Sequence, residues 1–184
     1  MRFAEFLRTT VLISAAAASA LAAVTLASAA SNSDSLVVPV AAAWWAVAAG
    51  VGVWFGRRST TSQPIAALLA GARTQAMLPE VDPARTILNR LWPLLFSTIG
   101  AGVVAFAAPQ VAAVATGFAI IWALAWRRQS SAVTAIEERD GARFYVDRTP
   151  FWRPIKLVRT PGFQSNLFEL NGAGEGPRRA RRQA

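Results

Sequence analysis

Between Arg90 and Arg127 the chain runs from Leu91 to Trp126 without a charged side chain. As one α-helix these 36 residues would reach about 54 Å, far more than the ~30 Å hydrocarbon core of a bilayer. Broken at Pro109-Gln110, the stretch becomes two arms of spanning length, about 91–107 and 111–126, which return the chain to the side it left. Thr9 to Ser33 and Leu36 to Phe55 are further uncharged runs, giving spans of about 9–30 and 36–55. Hydrophobic residues make up 54% of the chain and are massed in these blocks instead of being spread at helical or strand period, which is the signature of a membrane protein. The expected fold is an all-α transmembrane bundle of four helices, built as two helical hairpins. Its membrane domain covers 1–128, including a cytoplasmic loop over 57–90.

The formal net charge of +9 has two ordinary causes, nucleic-acid binding and the positive-inside rule. Placement separates them. With four spans and both termini inside, 2 of the 19 basic residues precede the first span, 5 lie in the loop and 12 follow the last span, so none falls outside. Threading accounts for the excess, and nucleic acid is not an expected partner. Trp54, Trp92 and Trp126 stand beside Arg57, Arg90 and Arg127, as aromatic residues at inner headgroup depth do. The expected location is the bacterial cytoplasmic (inner) membrane, multi-pass, with both termini cytoplasmic. A second reading stays open for the first block, because a basic start, an apolar run and Ala27-Ser28-Ala29 also fit a cleaved signal peptide over 1–29, which would leave three spans.

Chemistry is constrained by what is missing. Without Cys or His the chain has no thiolate nucleophile, no disulfide and no imidazole to act as acid, base or metal ligand. The four spans contain no Asp, Glu, Lys or Arg, the residues that carry ion and proton coupling inside membranes. No enzyme activity, cofactor or metal is expected. Ser97, Thr98 and Thr116 are the hydroxyls that a pore would use, although such groups more often bond to their own helix backbone.

Small residues at Ala46 and Gly50, Ala48 and Gly52, Ala101 and Ala105, and Ala113 and Gly117 would allow close helix approach. In the loop, Pro64 suits a first helical position, and Ile65, Leu68, Leu69 and Ala72 share one helical face, turned either to the membrane surface or to the bundle. Asp82-Pro83 reads as an N-cap and first turn leading into the third span.

The small cytoplasmic C-terminal segment, 129–171, is where a purpose is sought. Ala132 to Arg139, Asp140-Gly141 and Ala142 to Asp147 read as a β-hairpin with a type I′ turn, pairing Glu138 with Arg143 and Ile136 with Tyr145. The competing reading continues the fourth span as a helix through Glu138 and stops it at Gly141. Then comes an extended Pro-containing strip that echoes itself, Arg148-Thr149-Pro150-Phe151 and Arg159-Thr160-Pro161-Gly162-Phe163. Ile155 and Leu157 would share one face of it and Lys156 the other. Phe151, Trp152 and Phe163, with Arg148, Arg153, Lys156 and Arg159, are the candidate contacts to anionic lipid at the inner face or to a partner protein. The structural alternative is that the strip only covers the end of the bundle. Residues 172–184 read as a disordered basic C-terminus.

The run from Ile136-Glu137-Glu138-Arg139-Asp140-Gly141 through Phe144-Tyr145-Val146 to Lys156-Leu157-Val158-Arg159-Thr160-Pro161-Gly162-Phe163 resembles the cytoplasmic ends of small actinobacterial multi-pass membrane proteins of unknown function. The resemblance covers 136–163 and implies no activity. The expected function is therefore that of a non-enzymatic membrane protein, an accessory or scaffold subunit presenting its tail to the lipid bilayer, to a membrane protein complex or to a second copy. A small channel or transporter subunit is the alternative.

Overall fold

The computed structural model describes residues 1–32, 36–57, 60–74, 82–147, 149–150 and 153–161. Four helices are long and apolar enough to cross a membrane: α1 (Phe3–Asn32), α2 (Val37–Phe55), α4 (Pro83–Val104) and α5 (Pro109–Trp126), the last followed closely by α6 (Gln129–Asp140). Between α2 and α4 lie α3 (Gln63–Ala70) and β1 (Arg73–Thr74), and after α6 come β2 (Ala142–Val146) and β3 (Leu157–Pro161). At 1.5 Å per residue, α2 and α5 are about 28 and 27 Å long, close to a hydrocarbon core of ~30 Å.

The bundle is organised around α5. Its main contacts are with α1 on one side and α2 on the other, whereas the sequence neighbours α1 and α2 barely touch and α4 packs lightly on α1 and α5. This corrects the expected pair of helical hairpins. Small buried side chains explain the arrangement, because α5 carries Ala112, Ala113, Thr116, Gly117, Ala119 and Ala123 on its buried surface and can accept neighbours on two sides. The arms of the 91–126 stretch meet differently from the expected small-residue pairing. Ala105 packs with Ala112 and with Leu21 of α1, while Ala113 and Gly117 face α2. There the Trp45 indole donates to the Ala113 carbonyl at 2.9 Å and Trp44 Nε1 to the Val114 carbonyl at 3.3 Å. Large apolar side chains point outward. Phe96 is 73% and Ile99 66% exposed while Ala48 and Ala112 are wholly buried, the reverse of a soluble bundle and the arrangement expected of one solvated by lipid tails.

The first residues of the chain, the α3–β1 segment, and α6, β2 and β3 gather at one end of this bundle. They share one hydrophobic core, in which Phe3, Phe6 and Leu7 of α1 meet Ile65 of α3, Val133 of α6, and Phe144, Val146 and Leu157 of the strands. The sheet order is β1-β3-β2, with β1 parallel and β2 antiparallel to β3. The free edge of β2 is met by the start of the chain: Arg2 bridges Tyr145, and the Val146 amide donates to the Met1 carbonyl at 3.1 Å. We call this assembly the cap. Of the two readings for Ile65, Leu68, Leu69 and Ala72, the structure takes packing on the protein, with Ile65 2% exposed and the other three against the same core.

The expected hairpin through Asp140-Gly141 is wrong. Residues 129–140 are helical, with Gln129, Ala132, Val133 and Glu137 buried at i, i+3, i+4 and i+8, a face only a helix can present. Gly141 sits in the left-handed region at φ 57° and caps α6, its amide donating to the Glu137 carbonyl, so the Asp-Gly pair is a helix stop. Arg143 is consequently paired with Thr160 and Tyr145 with Val158, in place of Glu138 and Ile136. The strip was read correctly in part, since Leu157 is buried and Lys156 exposed on adjacent positions of an extended chain.

Candidate functional site

Two observations locate the chemistry of the cap. The first is a polar cleft of about 310 Å³ at the foot of α4. Asp82 starts the helix as expected, its carboxylate accepting from the Ala84 amide at 3.0 Å, and Thr86 Oγ1 donates back to the Asp82 carbonyl at 3.1 Å. Arg85, Thr86, Asn89 and Arg90 then fall at i+3, i+4, i+7 and i+8, so the first two turns of α4 present one polar wall to the cleft. The opposite wall is the connection after β2, with Asp147, Thr149 and Pro150. Arg90 ties the walls together, donating through Nη1 to the Arg153 carbonyl at 2.6 Å and through Nη2 to Thr149 Oγ1. A smaller cleft of about 240 Å³ lies beyond Asp147, between Leu68, Gly71 and Arg73 on one side and Ile155 and Lys156 on the other.

The second is an ion pair with a buried carboxylate. Glu137, 5% exposed, accepts from Arg2 Nη2 at 2.9 Å through Oε2 and from the Phe144 amide at 2.9 Å through Oε1. This single carboxylate joins the start of the chain to α6 and β2. The hydrogen bond to Glu137, opposed by burial, raises the Arg2 guanidinium above its ordinary value. Glu138, the sequence neighbour of Glu137, is by contrast exposed. Glu137→Ala would strand the Phe144 amide and the Arg2 guanidinium. Since the Arg2 side chain is 36% exposed and water takes up part of that loss, we expect the cap to lose about 2 kcal/mol, read as a lower melting temperature for the cap with the bundle unchanged.

The candidate contact residues divide. Arg153, Lys156 and Arg159 all expose their side chains. The backbone of Arg153 anchors Arg90, the Lys156 carbonyl accepts from the Asp147 amide at 2.9 Å, and Arg159 lies on the central strand opposite Phe144 and Thr74. Arg148, Phe151, Trp152 and Phe163 lie outside the described residues, as does the basic C-terminus 172–184. Sequence reading missed the α4 wall, although its signal was present as polar residues at helical spacing from Asp82 to Arg90. Glu137 left no such signal, because its partner is 135 positions away.

The residues expected at the inner interface also make contacts with one another. Arg57 lies over the Trp54 ring at 5.3 Å, and its carbonyl accepts from Arg128 Nη1 at 3.1 Å. In the bundle the hydroxyls of Ser97, Thr98 and Thr116 all turn to carbonyls of their own helix, at Leu94, Leu94 and Ala112. The same holds for Thr10, Ser14 and Thr25 on α1. Compared with known proteins, the chain matches no family model, no curated protein and no solved structure.

Proposed function

We propose that this is a non-enzymatic accessory or scaffold subunit of the bacterial cytoplasmic membrane, whose four spans are an anchor and whose cap, on the cytoplasmic face, is the working surface. One observation carries the reading: the bundle is chemically self-satisfied while three separate parts of the chain are committed to building the cap. In the bundle the buried hydroxyls of Thr10, Ser14, Thr25 and Thr116 are spent on their own helices, and the indoles of Trp44 and Trp45 bond to α5. In the cap, the start of α1, the α3–β1 segment and the C-terminal strands close one core and leave Arg153, Lys156 and Arg159 pointing out. Cytoplasmic placement is supported by the positive-inside distribution of the basic residues.

The test is crosslinking of the full chain in intact membranes, followed by purification in mild detergent. A species larger than the monomer is expected, and it should be lost when the exposed charges are reversed together as Arg153→Glu, Lys156→Glu and Arg159→Glu, side chains that no core contact needs. Monomer alone from the unaltered chain would overturn the scaffold reading. So would ion or solute flux in proteoliposomes that changes with Thr98→Val or Thr116→Val, because it would make the bundle the working part.

A further inference from the structure

The foot of α4 does more than hold the cap in place. Arg85 and Asn89 are in line with Trp92, Phe96 and Ile99, at i, i+4, i+7, i+11 and i+14, so a single stripe of the helix passes from cationic and amide groups to exposed aromatic and aliphatic ones. From Arg85 to Ile99 the rise is about 21 Å, and half of a bilayer ~40–45 Å thick with its headgroups is about the same. The cleft lies at the polar end of this stripe, and the stripe runs along the bundle's most exposed helix, with Phe96 at 73%. Trp92 and Phe96 lie side by side with ring centroids 6.5 Å apart, forming an apolar shelf just above the polar wall.

The cleft is lined by two guanidiniums and two carboxylates, and it is the guanidiniums that are open to an anion. Among the described residues the ion pairs are Arg2 with Glu137 and Arg139 with Asp140, so neither Arg85 nor Arg90 is matched with a carboxylate. Arg90 is half-buried and bonds only to neutral oxygens, the Arg153 carbonyl and Thr149 Oγ1. Of the two acids at the rim, Asp82 is spent on the start of α4 and Asp147 has interactions of its own. Two guanidinium forks with neutral donors from Asn89 and Thr149 suit tetrahedral phosphate oxygens, and the nearby carboxylates disfavour a highly charged polyanion.

We propose that the cleft binds the phosphodiester of one anionic phospholipid of the inner leaflet, with Arg85 and Arg90 on the phosphate and an acyl chain along Trp92, Phe96 and Ile99. The inference rests on the reading above only for placing the cap in the cytoplasm. It needs no partner protein, so loss of the crosslinked species would leave it standing.

The experiment uses the full chain in detergent micelles with native mass spectrometry and thermal unfolding, titrated separately with phosphatidylglycerol, phosphatidylcholine and inorganic phosphate. Retention of one phosphatidylglycerol, about tenfold tighter than phosphatidylcholine, is expected, together with a raised melting temperature. Arg85→Gln, at an exposed side chain with no hydrogen bond or ion pair among the described residues, should remove that preference while leaving the melting temperature in phosphatidylcholine unchanged. Trp92→Ala should weaken both lipids alike. Equal retention of the two lipids by the unaltered chain, or a preference that Arg85→Gln leaves intact, would overturn the proposal. Saturation by inorganic phosphate with no lipid preference would overturn the lipid as occupant and assign the cleft to a soluble phosphate.

Discussion

Phe3→Ala is expected to cost the cap about 3–5 kcal/mol and to unfold it while the bundle stays assembled. Phe3 is 2% exposed, its ring is stacked against Phe6 with centroids 6.5 Å apart, and it belongs to the core that Ile65, Val133, Phe144, Val146 and Leu157 complete. A cap this small has few other apolar side chains to close over the vacated volume, so the residual cavity keeps most of its cost. The measurement is hydrogen exchange in nanodiscs. Amides of β2 and β3 should lose protection, including the Val146 amide that donates to Met1, while those of α2 and α5 keep it. Unchanged protection across the strands would show that the start of α1 is not part of the cap's core. The same contacts bear on the alternative of a cleaved first block. Cleavage after Ala29 would remove Arg2, Phe3, Phe6 and Leu7 together, along with the α1 surface packed on α5, so the mature chain is expected to retain residues 2–8.

The four long apolar helices were legible because their length and composition are written locally in the chain. The Asp82 cap, Pro64 near the first position of α3 and the buried face of Ile65 were legible for the same reason, since capping and periodicity act within a turn or two. Where sequence reading failed, the deciding contact was distant. Gly141 serves a hairpin turn and a helix stop equally well, and the choice turned on Val133 and Glu137 being buried against residues near the start of the chain. β2 then paired with β3 across ten intervening residues, a partner that no local pattern named. Helix pairing failed similarly. Gly50 and Gly52 look alike in sequence, yet a Cβ at Gly50 would meet nothing within 4 Å while one at Gly52 would lie 2.8 Å from Leu124 Cβ. The cleft was a different kind of miss: the helical spacing of Arg85, Asn89 and Arg90 was readable, but the wall facing it comes from Asp147, Thr149 and Pro150.

Gly56→Ala is expected to destabilise the bundle by about 3 kcal/mol, and more when joined with Gly52→Ala. A Cβ at Gly56 would stand 2.2 Å from the Leu124 carbonyl oxygen, and one at Gly52 3.1 Å from Ile121 Cα, so in both cases the obstacle is backbone that cannot rotate away. Relief requires α2 to withdraw from α5, giving up the dispersion contacts that hold helices together where lipid tails are as apolar as the interface. Gly50→Ala is the control and should be neutral or slightly stabilising, because the position is open and Ala is the better helix former. The two glycines should also differ in reach. Gly56 immediately precedes Arg57, whose carbonyl accepts from Arg128, and a few residues on the Ser62 amide donates to Gln129 Oε1 at 3.1 Å. Displacing the end of α2 therefore pulls on the α5–α6 junction on which the cap is built. Gly52→Ala should lower the unfolding temperature of the bundle alone, whereas Gly56→Ala should also loosen α3 and α6 in hydrogen exchange. If both variants leave the cap equally protected, the bundle and the cap fold as independent units and the Arg57–Arg128 contact does not couple them.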